Sequence, residues 1–229
     1  KVLDANQIRA VTSLGLSDKT DISSEDNEIR KNGSKLLFKA LEMTNLIGSN
    51  YMGGVLYSSL QKYNSPPTKN AFKHSVDIIR GLCIEAEKMG INIGIEPVNR
   101  YESNLINSAS RALEFIELSE CENLFVHLDS YHMNIEESSY RDSILECGKK
   151  LGYFHAGENH RGYLGKGHIN FSEIFSAMKD INYLGPITFE SFSSSVVEPR
   201  LTNTLGVWRN LWEDSYDLAK KAQSFLDQK

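Results

Sequence analysis

The sequence has few cysteines, and they do not form a recognisable metal or disulfide framework. Its three cysteines, Cys83, Cys121 and Cys147, lie far apart, and none belongs to a CxxC pair. An odd number of widely spaced thiols disfavours both a zinc ribbon and a disulfide-stapled fold, and it fits a reducing compartment. We therefore expect a cytoplasmic protein.

The sequence also has little that is typical of a membrane, secreted or nucleic-acid-binding protein. No apolar run approaches the roughly 20 residues of a membrane span, and no charged-then-apolar leader opens the chain. The 229 residues include 25 basic and 30 acidic side chains, and the net charge of −5 does not favour binding to a phosphate backbone or an anionic membrane. Neither a GxGxxG nor a Walker loop is present. We expect no nucleic-acid and no membrane partner.

What the sequence does contain is an alternation of short apolar runs with segments of helical spacing. Strand starts recur every roughly 28 to 41 residues, the length of one βα unit, which indicates a parallel sheet with helices outside. The strands are predicted at Ala10–Leu16, Tyr51–Tyr57, Ile91–Glu96, Leu124–Asp129, Tyr153–Ala156 and Pro186–Glu190. The helices are predicted at Ser34–Ile47, Phe72–Met89, Ala109–Leu118, Ser143–Lys150, Ser172–Lys179 and Trp208–Leu226.

The two faces of the last four strands differ in polarity. Side chains alternate faces along a strand, and here one face is apolar while the other ends in a residue able to bind a metal. A sheet covered by helices on both faces would be apolar throughout. A polar inner face that converges at the carboxyl ends of the strands is typical of an α/β protein of the (β/α)8 TIM-barrel class.

The four residues at these strand ends are the candidate metal ligands Glu96, Asp129, His155 and Glu190. A single strand-end carboxylate is equally well explained as a helix N-cap or as half of an ion pair, but four in matching parity favour a shared ligand. Three carboxylates and one imidazole suit a hard or borderline divalent ion such as Mn²⁺, Mg²⁺ or Co²⁺. His127 also points inward, one layer deeper, and we expect it to have a core or supporting hydrogen-bonding role.

Four strings around these residues resemble the D-tagatose 3-epimerase / D-allulose (psicose) 3-epimerase family, a branch of the xylose-isomerase-like TIM barrels. The strings are IEPVNRYE (95–102), HLDSYHMNIEE (127–137), FHAGENHR (154–161) and FESF (189–192), and the similarity extends to GVWR at 206–209. The second string is the most specific. The resemblance implies an isomerase that inverts C3 of a free ketohexose or ketopentose through a cis-enediolate, and it implies a homodimer or homotetramer.

The resemblance also implies roles for individual residues. The family's ligands for one divalent ion, normally Mn²⁺ or Co²⁺, fall on Glu96, Asp129, His155 and Glu190. Its acid/base pair falls on Glu96 and Glu190, and its contacts to the O1–O3 region of the sugar fall on Glu102, His132 and Arg161. The chemistry requires a similar set, because inversion at C3 needs a carboxylate on each face of a planar enediolate. Arg161 and His132 can hydrogen-bond the developing oxyanion.

The strand count differs from that of the family, which has eight strands where this sequence shows six. The first strand here resembles the third of the family. We therefore expect one TIM-barrel domain over residues 1–229 that lacks the first two strands and is incomplete at its N-terminal side. The gap should lie between the first and the last strand present.

Other functions stay open at this point. An aldose–ketose isomerase would use the same scaffold, and so would a ketose-phosphate epimerase, for which Ser193–Ser195 and Arg200 offer phosphate donors. A truncated, non-catalytic sugar- or metal-binding protein is the alternative from another class. A barrel endonuclease is disfavoured, because such metal sites are richer in histidine and the acidic net charge does not suit nucleic acid.

Overall fold

The computed structural model describes residues 2–227, and within them six parallel β-strands form one sheet in chain order. The strands are β1 (Thr12–Ser13), β2 (Tyr51–Gly53), β3 (Asn92–Ile95), β4 (Leu124–Asp129), β5 (Leu151–Ala156) and β6 (Ile187–Phe189). The helices are α1 (Val2–Ala5), α2 (Asn27–Leu46), α3 (Ala71–Lys88), α4 (Ala109–Ser119), α5 (Ser130–Glu136), α6 (Tyr140–Cys147), α7 (Phe171–Asp180), α8 (Pro199–Leu205) and α9 (Ser215–Leu226). This confirms the predicted α/β TIM-barrel class.

The sheet is a curled half-barrel with two free edges. β1 and β6 are the outer strands, and no pairing joins them in residues 2–227. β1 pairs with β2 through Thr12 and Ser13 alone, and an isolated bridge from Leu16 to Ser59 extends the contact along the same direction. The predicted gap between the first and last strands of a six-stranded, incomplete barrel is thus confirmed.

The core lies between the sheet and the helices on its outer side. Ile93 and Ile95 of β3 are fully buried, and so are Ile79 of α3 and Phe115 of α4. Burying a side chain of this size contributes about 1.5 to 3 kcal/mol to stability. The helices pack on the strand faces that the alternation of apolar residues predicted. Within the described part of the chain, no helix has the length and apolar character needed to cross a membrane.

The first two strands are several residues shorter than predicted, and β3 and β6 are each shorter by one residue at both ends. β1 covers Thr12–Ser13 rather than Ala10–Leu16, and β2 covers Tyr51–Gly53 rather than Tyr51–Tyr57. Gly54 follows β2 with a φ of +111°, a backbone conformation that glycine adopts at little cost, and the chain leaves the ladder there.

Two helix predictions were wrong by about two turns at their N-termini, and in both helices an aspartate side chain caps the observed first turn. α2 begins at Asn27 rather than Ser34, because the side chain of Asp26 caps it by accepting from the amide of Glu28 at 2.8 Å. The predicted helix Trp208–Leu226 begins only at Ser215, where Asp214 is the N-cap. The irregular segment before it is tied down by the buried hydroxyl of Ser193, which accepts from the amide of Leu211 at 2.9 Å.

Candidate active site

The four strand-end residues meet at the carboxyl end of the sheet. One ligand atom from each of Glu96, Asp129, His155 and Glu190 lies within 4.8 Å of the corresponding atom of every other. Nδ1 of His155 is 3.2 Å from Oε1 of Glu96 and 3.6 Å from Oε1 of Glu190. Three oxygen donors and one nitrogen donor, gathered in a mostly buried place, are a set that fits a divalent cation.

Asp129 caps a helix and also belongs to the cluster. Its Oδ1 atom caps α5 by accepting from the amide of Tyr131 at 2.8 Å, while Oδ2 accepts from Nη1 of Arg161 at 2.7 Å. The next residue, Ser130, exchanges hydrogen bonds with the backbone of Gly157 at 2.8 and 2.9 Å, which locks the end of β4 against the end of β5. One carboxylate therefore both caps a helix and contributes its second oxygen to the contacts of the site.

Arg161 reaches the cluster from the loop after β5. Its Nη1 atom donates to Oδ2 of Asp129 at 2.7 Å and also to Glu190. The guanidinium carbon lies 3.7 Å from the centre of the Tyr131 ring, so the cation is held between an aromatic face and two carboxylates. The carboxylates outweigh burial and raise the pKa of Arg161, which is a permanent cation here.

The position of Arg161 depends on an unusual backbone. Its φ is +62°, in the left-handed region that non-glycine residues rarely occupy. Its amide donates to the carbonyl of Glu158 at 2.9 Å, and its carbonyl accepts from the amide of Phe192 at 2.9 Å. These bonds join the loops after β5 and β6 and compensate the strain, which is a frequent feature of functional sites.

His132, on α5, has a well-defined tautomer. Its Nδ1 atom faces two donors from Asn99, the backbone amide at 3.1 Å and the side-chain amide at 2.9 Å. Because a backbone amide can only donate, Nδ1 accepts, and the ring proton is assigned to Nε2. Burial lowers the pKa of His132 to about 3, so the imidazole is neutral. Nε2 lies 3.3 Å from Nη2 of Arg161, and the two residues present donors side by side.

Glu102 joins the same network. It accepts from the side chain of Asn99 at 2.8 Å, and Oε2 lies 3.9 Å from Nε2 of His132. Burial is the main cause that raises the pKa of Glu102 to about 7, although Arg161 opposes the shift. Near neutral pH this side chain therefore exchanges between a carboxylate and a carboxylic acid.

The carboxyl group of Glu96, next to His155, is ionised. Burial opposes the charge on Glu96, but the imidazoles beside it outweigh that effect and hold the pKa of the carboxyl below its usual value. Burial likewise opposes the charge on His155, whereas Glu96, Glu190 and Asp129 raise its pKa to about 9. The metal-free cluster thus carries a proton on His155, and a metal ion would replace it.

Glu136 and Glu137, the last two residues of the HLDSYHMNIEE string, stabilise the walls of the site and do not line it. Glu136 accepts from the backbone amide of Arg100 at 2.7 Å and pairs with its guanidinium at 2.9 Å. Glu137 accepts from the amide of Ala109 at 2.7 Å, at the start of α4. α5 is therefore attached to the loop after β3, which carries Glu102.

A cavity of about 340 Å³ opens above the cluster. Its polar lining includes Glu96, Glu102, His132, Arg161 and Glu190, and most of the remaining lining is apolar. The apolar wall is formed by Leu14, Val55, Leu60, Val98, Phe192, Leu201 and Leu205. A concave site with a few convergent polar groups and one apolar wall suits a small polar ligand, and its volume is within the usual range.

All seven residues predicted from the sequence are thus close together, and their roles stay predictions. Two further residues were not assigned to the site, namely Asn99, which orients His132 and Glu102, and Tyr131, which supports Arg161. Both lie within the strings that carry the family resemblance, but neither residue type is typical of a metal ligand or an acid/base group. Their roles depend on contacts between loops.

Comparison with known proteins agrees with this geometry. The family model described as xylose isomerase-like TIM barrel matches residues 1–226. The chain belongs to that family. L-ribulose 3-epimerase of Methylomonas sp. is 48% identical over 228 residues, which cover 100% of this chain and 80% of that protein.

Two further matches extend the comparison. D-psicose 3-epimerase of Agrobacterium fabrum is 34% identical over 217 residues, which cover 94% of this chain and 74% of that protein. The crystal structure of D-allulose 3-epimerase from Methylomonas sp. in complex with D-allulose superposes with a TM-score of 0.97 at 48% identity, covering 99% of this chain and 79% of that one. These relatives are epimerases, which are isomerases.

Proposed function

We propose that this chain is a metal-dependent ketose 3-epimerase that inverts C3 of a free ketohexose or ketopentose. The observation that carries the proposal is the placement of Glu96 and Glu190. They directly follow strands β3 and β6 and line one cavity, and their Oε1 atoms lie 3.2 and 3.6 Å from Nδ1 of His155. The names of the relatives, which are 3-epimerases of ribulose, psicose and allulose, support the same reaction.

Two carboxylates in this arrangement suit inversion. One removes the proton from C3, the electron pair of the C3–H bond moves toward C2, and the C2 carbonyl becomes the oxyanion of an enediolate. The other carboxylate returns a proton to the opposite face of C3. The C3 configuration of the substrate decides which of Glu96 and Glu190 is the base, and their roles exchange in the reverse direction.

The remaining side chains bind the sugar and its developing charge. Arg161 and His132 present adjacent donors, which an oxyanion can accept together. Glu102, which lines the same cavity, can accept from or donate to a sugar hydroxyl because its pKa is about 7. A divalent ion held by Glu96, Asp129, His155 and Glu190, for which we propose Mn²⁺ with Co²⁺ or Mg²⁺ as substitutes, would supply Lewis-acid polarisation of the carbonyl.

The alternative of a ketose-phosphate epimerase receives less support. The hydroxyl of Ser193 donates to Oδ1 of Asn210 at 2.6 Å and accepts from two backbone amides, and the hydroxyl of Ser195 also donates to Asn210. Both hydroxyls therefore hold the segment before α9 and are not arranged around an empty anion site. Free sugars are the better candidates.

The test is an isotope experiment on the 229-residue chain. The protein is stripped with a chelator, reloaded with Mn²⁺ or Co²⁺ and incubated with a panel of ketoses and ketose phosphates in D₂O. Deuterium at C3 together with the C3 epimer, resolved by chromatography and NMR, supports the proposal. Deuterium at C1 with an aldose product would indicate an aldose–ketose isomerase, and binding without exchange would indicate a non-catalytic protein.

Variants assign the two carboxylates. Glu96→Gln and Glu190→Gln should each abolish epimerisation, because an amide cannot carry the proton. Glu85→Gln is the matched control, since Glu85 pairs with Lys88 on the surface of α3, and it should keep full activity. Near-normal turnover in either site variant removes that residue from the acid/base pair.

We also propose that the chain forms homodimers or homotetramers. Leu184, Trp208 and Tyr216 are 97%, 71% and 79% exposed, and aromatic residues such as the last two are enriched at subunit interfaces. Light scattering coupled to size-exclusion chromatography should give two or four times the 25.8 kDa mass of one chain. A mass of one chain at all concentrations would contradict this proposal.

A further inference from the structure

His127 is a buried histidine that the epimerase mechanism does not use. It lies on β4 two residues before Asp129, is 2% exposed, and neither of its ring nitrogens has a hydrogen-bond partner among the described residues. An unsatisfied buried polar group costs about 1 to 3 kcal/mol. The ring touches aromatic neighbours instead, with its centre 4.2 Å from that of His155 and 4.7 Å from that of Tyr153.

A ring nitrogen of His127 nevertheless lies close to two other atoms that can bind a metal ion. One nitrogen of His127, one nitrogen of His155 and one carboxylate oxygen of Glu96 are all within 4.8 Å of one another. This deep set shares Glu96 and His155 with the four-residue cluster, and it replaces the oxygens of Asp129 and Glu190 with a second imidazole. The two sets therefore overlap and differ in donor chemistry.

The difference in donors implies a difference in preferred metals. An oxygen-rich set suits Mn²⁺ and Mg²⁺, whereas two imidazoles and one carboxylate are a common donor set for Zn²⁺ and Cu²⁺. We propose that Glu96, His127 and His155 form a second, overlapping metal site that takes nitrogen-preferring ions such as Zn²⁺ and Cu²⁺. Because two ligands are shared, an ion in the deep set excludes an ion from the four-residue cluster.

The state of the imidazole supports ligation. Both ring nitrogens of His127 lack a hydrogen-bond partner among the described residues, so no other group competes with a metal ion for the lone pair of the ring. Gly53 lies beside this ring, and a Cβ atom there would approach Nδ1 of His127 to 3.1 Å. A side chain at position 53 would therefore press against the ring that carries this nitrogen.

The nitrogen ligands of bound Cu²⁺ test the proposal directly. Electron paramagnetic resonance of the metal-stripped chain with one equivalent of Cu²⁺ should show superhyperfine splitting from two imidazole nitrogens. His127→Phe keeps an aromatic ring but has no atom that can bind the metal ion, so the splitting should be that of one imidazole nitrogen. A single nitrogen in the unaltered chain would overturn the proposal, and that measurement needs no variant to fold.

Metal competition provides a second readout. Zn²⁺ should displace Mn²⁺ from the unaltered chain, and in His127→Phe the Zn²⁺ concentration needed should rise at least about tenfold, while Mn²⁺ affinity changes less than about threefold. Free Mn²⁺ is measured by its own resonance signal, so the result does not depend on epimerase activity. His74→Phe is the matched control, because His74 also has an unpartnered Nδ1 atom but lies on α3. Unchanged Zn²⁺ competition in His127→Phe would contradict the proposal.

Discussion

The Nη1 atom of Arg161 lies 2.7 Å from the Oδ2 atom of Asp129, so a substrate-binding candidate contacts a metal-ligand candidate directly. Asp129 is fully buried, and Arg161 also pairs with Glu190. In the metal-free protein the arginine compensates charge that a metal ion would otherwise balance. We therefore predict that substrate binding and metal binding are coupled through these three side chains.

Arg161→Ala should destabilise the metal-free protein by about 3 to 5 kcal/mol, because it leaves the buried carboxylate of Asp129 without its cation. Urea unfolding in the presence of a chelator measures the loss, and Mn²⁺ should restore part of it. Arg141→Ala is the matched control, since Arg141 pairs with Asp180 on the surface and should cost less than about 1 kcal/mol. Equal losses for the two variants would contradict the coupling.

Glu102 should make stability depend on pH. Burial raises its pKa from 4.5 to about 7, so the folded state binds the proton more tightly than the unfolded chain does. The resulting stabilisation is complete below pH 4.5 and is lost as the pH rises to about 7. At pH 8 the free energy of unfolding of Glu102→Gln, measured with urea, should therefore be about 2 to 3 kcal/mol higher than that of the parent. At pH 4 the two should be equal. Glu85→Gln, on the surface, should show no such trend.

Metal binding should release a proton. His155 has a pKa of about 9 in the metal-free chain, yet an imidazole must be neutral to bind a metal ion, so about one proton should leave per ion bound at pH 7.5. Apparent affinity should rise about tenfold per pH unit up to pH 9 and then level off. Calorimetric titrations in buffers of different ionisation enthalpy count the protons. A count of zero at pH 7.5 would show that His155 is not a ligand.

Asn99→Asp should disturb catalysis through His132. The new carboxylate would lie beside Nδ1 of His132 and next to Glu102, so it should raise the pKa of His132 from about 3 into the range visible by NMR of labelled histidine. We expect kcat/KM to fall by about 10- to 100-fold. Asn104→Asp is the control, because Asn104 bonds the carbonyl of Ser65, outside this network. Reduced activity with an unchanged His132 titration would point to a general structural effect.

Gly94 should tolerate no side chain. A Cβ atom at this position would lie 1.7 Å from the hydroxyl oxygen of Tyr51, whose ring stacks on Tyr153. Gly94→Ala should cost about 1 to 3 kcal/mol. Tyr51→Phe should recover part of this loss in the double variant, because the hydroxyl has no partner in the described chain. Gly81→Ala, on α3 with no neighbour closer than 3.9 Å, should be neutral or stabilising, and an equal cost there would contradict the steric account.

Much of the candidate site could be predicted because strand parity is local information. Side chains alternate between the two faces of a strand, and parallel strands bring their carboxyl ends to one edge of the sheet. These two rules predict the cluster of Glu96, Asp129, His155 and Glu190. The boundaries between helices and loops were less predictable. The segment before α9 is irregular because Ser193, about 20 residues upstream, accepts hydrogen bonds from its backbone amides. The spacing of apolar residues in the sequence does not reveal such a contact.

The sequence by itself determined the fold class, the apolar faces of the strands and the set of residues at their ends, because these depend on periodicity and on short strings. The tertiary structure alone decided how those residues are charged and oriented. Arg161 reaches Asp129 only from a left-handed backbone held by two neighbouring loops, and Asn99 sets the tautomer of His132 across 33 residues of chain. Charge and orientation in a buried site depend on distances between separate segments, and the order of residues in the chain does not contain those distances.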